Sequence, residues 1–165
     1  MKMIFCVFVC LFMLSGCGAT KTLETINDEN ALPAMADAAE IQLCIPEGGA
    51  AQVFDNGIGG RLYMCDGYTV TVQTLEGGDL RRTIETASGF DMEKLTLIKT
   101  EQHGYDAVLC AWSAVGEGED QVCRAMVLDD GCYHYVVTVM ANYKQALEQT
   151  DLWQSVLGSV NLNTD

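Results

Sequence analysis

The chain has 165 residues, of which 23 are acidic and nine basic, for a net charge of −14. That length suits a single domain with room for a real core. The charge repels nucleic acid and anionic lipid heads, so neither is an expected partner of the folded part.

Met1-Lys2-Met3 is a short basic start, and an unbroken apolar run of 11 residues, Ile4 to Leu14, follows it. The run falls well short of the roughly 20 residues that span a bilayer. It ends in Leu14-Ser15-Gly16-Cys17. These parts in this order resemble a bacterial lipoprotein signal peptide closed by its lipobox. The resemblance implies cleavage before Cys17, with residues 1–16 lost and a diacylglycerol thioether formed on the Cys17 sulfur. The protein would then be held extracytoplasmically at the cell membrane or an outer membrane, and two or more acyl chains suffice for stable anchoring. Cleavage leaves 149 residues, and because Lys2 departs without any acid the charge moves from −14 to −15. Gly18 is not an aspartate, so nothing resembles an inner-membrane retention signal.

Residues 17–40 read as an acidic, flexible tether: Lys21 stands against Glu24, Asp28, Glu29, Asp37 and Glu40, and self-repulsion extends such a segment. The domain is expected over 41–165. Ile41 to Ile45 alternates and stops at Pro46, which reads as a first strand. Gly48-Gly49 and the cluster Asn56 to Gly60 punctuate the next stretch, where no helix can be placed. Arg61 to Cys65 and Tyr68 to Leu75 are strand-like, and Asp66-Gly67 between them predicts a tight hairpin with positive φ at both positions. Asp79 is placed to cap a helix carrying Leu80, Ile84 and Ala87 on one face, with Gly89 to close it. Asp91 is expected to cap a short turn through Leu95. Thr96 to Gln102, a turn at His103-Gly104, Tyr105 to Ser113, Gln121 to Leu128 and Cys132 to Met140 form an antiparallel meander with acidic, turn-rich loops. A last helix from about Asp151 to Gly158 is expected to open on an Asp151/Gln154 capping box and to present Leu152, Val156 and Ser159 on one face.

Residue types that carry chemistry are scarce. Once Cys6 and Cys10 leave with the leader and Cys17 takes lipid, Cys44, Cys65, Cys110, Cys123 and Cys132 remain, an odd number. Two readings stay open, one or two disulfides in an oxidising compartment and buried reduced thiols in an anaerobe. A turn centred on Gly116-Glu117 would set Cys110 opposite Cys123, a geometry for a cross-strand disulfide that a one-residue slip abolishes. Cys132 and His134 share a strand face, with Cys123 on the next strand, but a metal site needs more ligands and no metal or other cofactor is expected. Glu117, Glu119 and Asp120 lack a calcium-loop register. Gly57 to Gly60 does not open a helix after a strand, so it is no dinucleotide loop. No nucleophile elbow, Ser-x-x-Lys or Cys–His pair with an orienting acid can be named, so no catalytic residue is assigned. Trp112, Tyr133, Tyr135 and Tyr143 read as sheet packing or as the lining of a cleft.

Strand, hairpin, helix, meander and terminal helix in that order define an α+β class, an antiparallel sheet with flanking helices. The array resembles the PsbP-like αβα sandwich superfamily, which includes small bacterial lipoproteins. The residues that carry the resemblance are Ile45-Pro46-Glu47-Gly48, the meander from Tyr105 to Met140 and the closing Leu152 to Val160. It implies a binding or assembly module rather than an enzyme, with a protein partner in the cell envelope. A small solute-binding lipoprotein serving a transporter and a hydrolase are the alternatives.

Overall fold

The computed structural model describes residues 37–45, 60–114 and 120–163, and the backbone of 51–55 and 115, all within the unit Met35–Asp165. Its strands are β1 (Glu40–Gln42), β2 (Ala51–Asp55), β3 (Arg61–Met64), β4 (Thr69–Glu76), β5 (Thr96–Gln102), β6 (Tyr105–Val115), β7 (Asp120–Asp129), β8 (Tyr133–Asn142) and β9 (Asn161–Asn163). Helix α1 (Leu80–Ser88) joins β4 to β5 through a 3-10 turn at Met92–Lys94, and α2 (Tyr143–Glu148) and α3 (Thr150–Gly158) follow β8.

Seven strands form one antiparallel sheet in the order β2-β3-β4-β8-β7-β6-β5, and β1 pairs with β9 in a separate ribbon. Strand alternation sends neighbouring side chains to opposite faces, and here both faces are covered. On one, Val70, Val72, Met126, Leu128, Tyr135, Val137 and Val139 pack with Trp153, Val156, Leu157 and the ribbon's Ile41 and Leu162. On the other, Val108, Cys110, Ala125, Val127 and Val136 pack under Ile84 of α1. Double coverage is why β7 and β8 are near-continuous apolar runs rather than alternating ones.

The expected hairpin, α1, the meander and its turn are all present. Asp79 accepts from the Arg81 N–H at 3.0 Å, and Gly89 closes α1 at φ 75°. His103 and Gly104 both take positive φ, 52° and 88°, between Gln102 and Tyr105. At Asp66-Gly67 only Gly67 does, at 80°, and the Cys65 N–H donates to the Tyr68 carbonyl across the turn at 2.9 Å. The first strand is shorter than its alternation suggests and pairs with β9 instead of joining the sheet. Ordered contacts start before residue 41: the Ala39 N–H donates to the Tyr135 hydroxyl at 2.9 Å.

The C-terminal helices depart most. Tyr143–Glu148 forms a helix that was not expected, capped by the Asn142 side chain on the Gln145 N–H at 2.9 Å. Helix α3 therefore starts directly after α2, with Gln149 at its cap and no side-chain capping bond, so the Asp151/Gln154 box is absent. Its buried face is Trp153, Val156 and Leu157, turned from the expected stripe, with Leu152 half-buried.

Gly77 sits where β4 leaves the sheet. A methyl group there would lie 2.5 Å from the Cys132 carbonyl oxygen, the group its own N–H binds at 2.7 Å. Gly77→Ala must push two backbones apart, and urea unfolding should register a loss of about 1–3 kcal/mol, the usual cost of overpacking.

Candidate functional site

Three clusters could act chemically, and the first is built from distant residues. Thr83 on α1 lies 2.7 Å by its Oγ1 from the His134 Nδ1 on β8, and His134 Nε2 is 3.7 Å from Asp129 Oδ2 on β7. This row of hydroxyl, imidazole and carboxylate spans residues too far apart in sequence to be noticed as a motif. Thr83 is 8% exposed and His134 1%, so the hydroxyl and ring are enclosed between helix and sheet. The row's evident work is to satisfy buried polar groups and fix α1 over β8.

The second is the β7–β8 turn. Asp130 Oδ1 accepts the N–H groups of Cys132 and Tyr133 at 2.8 and 2.6 Å, and its Oδ2 accepts the Tyr135 hydroxyl at 2.7 Å. Burial acts to raise the Asp130 carboxyl, but these donors outweigh it and hold the group below the usual carboxylate range. Tyr135, fully buried, is pushed well above the ordinary phenol value by that burial and by Asp130.

The third is a groove of about 340 Å³ between the sheet and α3. Ile98 of β5, Leu109 and Ala111 of β6 and Arg124 and Met126 of β7 line its sheet side, and Gln154, Leu157 and Gly158 line the other. Gln102, on β5, fixes the helix end that forms this second wall. Its Nε2 lies 3.1, 3.0 and 2.9 Å from the carbonyls of Leu157, Gly158 and Val160, at and just beyond the C-terminal end of α3. A methyl on Gly158 would meet nothing within 4 Å, so that side of the helix faces open space. The Arg124 guanidinium lies 5.8 Å from the centroid of the fully buried Trp153 ring.

The residues singled out from sequence are dispersed. Cys17 and residues 116–119, with Glu117 and Glu119, lie outside the described residues, and Asp120 begins β7. Cys110 faces Ala125 and Cys123 faces Trp112, which corrects the expected opposition of the two cysteines. Val115 pairs with Asp120, moving the hairpin's centre one residue from Gly116-Glu117 and the register by two. The cysteines are thus diagonal neighbours, about 7–8 Å apart in a regular sheet and beyond ordinary disulfide reach. All five described cysteines are free, and burial pushes the Cys110 and Cys123 thiols up to about 11, away from reactivity. Cys132 precedes β8, and His134 faces Asp129 while Cys123 faces Met140, so the three do not converge. Trp112 and Tyr133 are half-buried and Tyr135 is core. Tyr143 opens α2 and is 61% exposed, so it belongs to no sheet. Sequence reasoning missed the groove residues Gln102, Arg124 and Gly158; an arginine inside the apolar run Val122 to Leu128 was the signal available.

This architecture is the PsbP-like sandwich, an antiparallel sheet with helices on it. The PsbP of the cyanobacterium Synechocystis sp. PCC 6803 superposes with a TM-score of 0.51 at 11% identity, over 81% of this chain and 98% of that one. A Bacteroides thetaiotaomicron protein gives 0.53 at 11% identity over 76% of this chain, which spans only 46% of that protein's length. LpqN of Mycobacterium tuberculosis, involved in cell envelope biogenesis, gives 0.49 at 10% identity, over 74% of this chain and 83% of LpqN. At 11% identity the first two likenesses are ones of fold alone. No protein-family model and no curated protein matches the chain. Among the described residues no helix is long and apolar enough to cross a membrane.

Proposed function

We propose that this chain is a lipid-anchored, extracytoplasmic, non-catalytic module that binds a protein partner in the cell envelope. The observation that carries the binding role is the pairing of an open groove with a buried polar row. The apolar surface is accessible, whereas Thr83 and His134 are shut in between α1 and the sheet. The anchoring role rests on Lys2, the apolar run and Leu14-Ser15-Gly16-Cys17. An acidic tether over 17–40 would hold the domain off the membrane, and its charge would keep the domain clear of anionic lipid.

Crosslinking and pull-down of the native protein from intact cells, beside a Cys17→Ser variant, tests both parts. The variant should leave the membrane fraction or stall unprocessed, and the wild type should capture one reproducible envelope protein. Unchanged membrane attachment of Cys17→Ser defeats the anchor. Failure to capture any partner across growth conditions defeats the assembly role.

A further inference from the structure

We propose that the groove between the sheet and α3 binds a single-chain amphiphile with a carboxylate head, a fatty-acid anion, whose carboxylate pairs with Arg124. The lining argues for the chain. Ile98, Leu109, Met126 and Leu157 are flexible or branched aliphatic side chains with no aromatic platform among them, a surface suited to alkyl contact rather than ring stacking. The groove's roughly 340 Å³ lies at the small end of ligand sites, in keeping with one chain rather than two. Ile98 is 57% exposed beside it, a large aliphatic group left in water at the open edge strand.

Arg124 argues for the head. Among the described residues no carboxylate pairs with it, although the chain has 23 acids to nine bases. The other described cations without a carboxylate partner, Arg82, Lys99 and Lys144, stand exposed in solvent, whereas Arg124 is half-buried at an apolar groove. Its Cζ lies over the Trp153 ring, a contact that uses none of its N–H donors on a carboxylate and leaves the guanidinium fork for a bidentate one. A carboxylate meeting this fork where water is partly excluded gains more than it would at the open surface. With the rest of the molecule acidic, this one cation decides the sign of the head group. The proposal rests on the binding reading of the same groove, but not on lipidation or on a protein partner; it concerns the folded domain alone.

The full chain in phospholipid nanodiscs, titrated with carboxyl-labelled decanoate and followed by carbon NMR, provides the test. Ala111→Phe fills the groove from the sheet, so the difference between it and the wild type removes bilayer partitioning; Thr96→Trp, at another lining position beside Ala111 on the edge strand, does the same. Thermal unfolding of each variant checks that it is folded. Decanoate should bind the wild type at least ten times more tightly than decanol and not be replaced by decylammonium. Arg124→Gln should erase that preference, and either groove-filling variant should abolish binding. Equal affinity for the acid and the alcohol, or a decanoate signal indifferent to Ala111→Phe, overturns the proposal. Tighter binding of a short apolar peptide with a free C-terminal carboxylate overturns it in favour of a peptide site. Loss of the envelope partner in the pull-down leaves this result untouched, so the two readings fail separately.

Discussion

Trp153→Ala should cost about 3–5 kcal/mol in urea unfolding, the range for emptying a large aromatic from a core. Trp153 is 0% exposed, lies in the helix-side cluster with Val139, Val156 and Val160, and supports the Arg124 guanidinium. Nothing nearby is positioned to refill the space, because α3 is held at its C-terminal end by the Gln102 amide. Part of the loss comes from the indole's interaction with the cation, worth about 0.5–2 kcal/mol. Arg124→Met separates the two contributions: it removes the cation and leaves the indole in place, so it should lose no more than about 0.5–2 kcal/mol. A cost below about 1.5 kcal/mol for the alanine variant, the level of a tolerated core swap, would mean that α3 does not pack on the sheet as described.

Tyr135→Ala should be of similar size, about 3–5 kcal/mol, for a second buried aromatic. Here the hydroxyl is the more informative part. It accepts the Ala39 N–H and donates to Asp130, joining the chain ahead of β1 to the β7–β8 turn. Tyr135→Phe keeps the ring and strands both partners, so about 1–3 kcal/mol should be lost. The same node sets a pH dependence. A carboxyl depressed in the folded state contributes stability that is full above its unfolded value and lost as the pH falls through the folded one. Asp130 is such a group, with an ordinary value of 3.8. Unfolding free energy should therefore decline from about pH 4 downward, and Asp130→Asn should flatten that part of the acid limb. An acid limb identical in the wild type and Asp130→Asn would show that the turn's hydrogen bonds do not form.

What could be read from the chain follows how local each signal is. Asp79 with Gly89 brackets α1, and His103-Gly104 fixes the β5–β6 register, because caps and tight turns depend on a few adjacent residues. The β6–β7 register does not follow from such a signal. A loop of Gly and Glu residues has no unique centre, and one residue of error there moved Cys110 from Cys123 to Ala125. Helix α2 has only six residues, Tyr143 to Glu148, too few for the i, i+3, i+4 spacing of Tyr143, Ala146 and Leu147 to stand out, and only Ala146 is buried. The groove was less legible still. It exists because β8 returns beside β4 and sends the chain across the sheet, bringing α3 alongside strands that end about 20 or more residues earlier, at Asp129 for β7. Long-range placement of that kind is fixed by burial of both sheet faces together, and no short window of residues carries it.

The β1–β9 ribbon has a topological consequence. Glu40 stands opposite Asn163 and Gln42 opposite Asn161, so the two ends of the folded domain lie side by side. Joined by a linker of a few residues, they would make the domain a closed loop of chain. Such a loop has no privileged starting point: the same pairings would be satisfied if it were opened instead at the exposed His103-Gly104 turn, with the present ends becoming an internal connection.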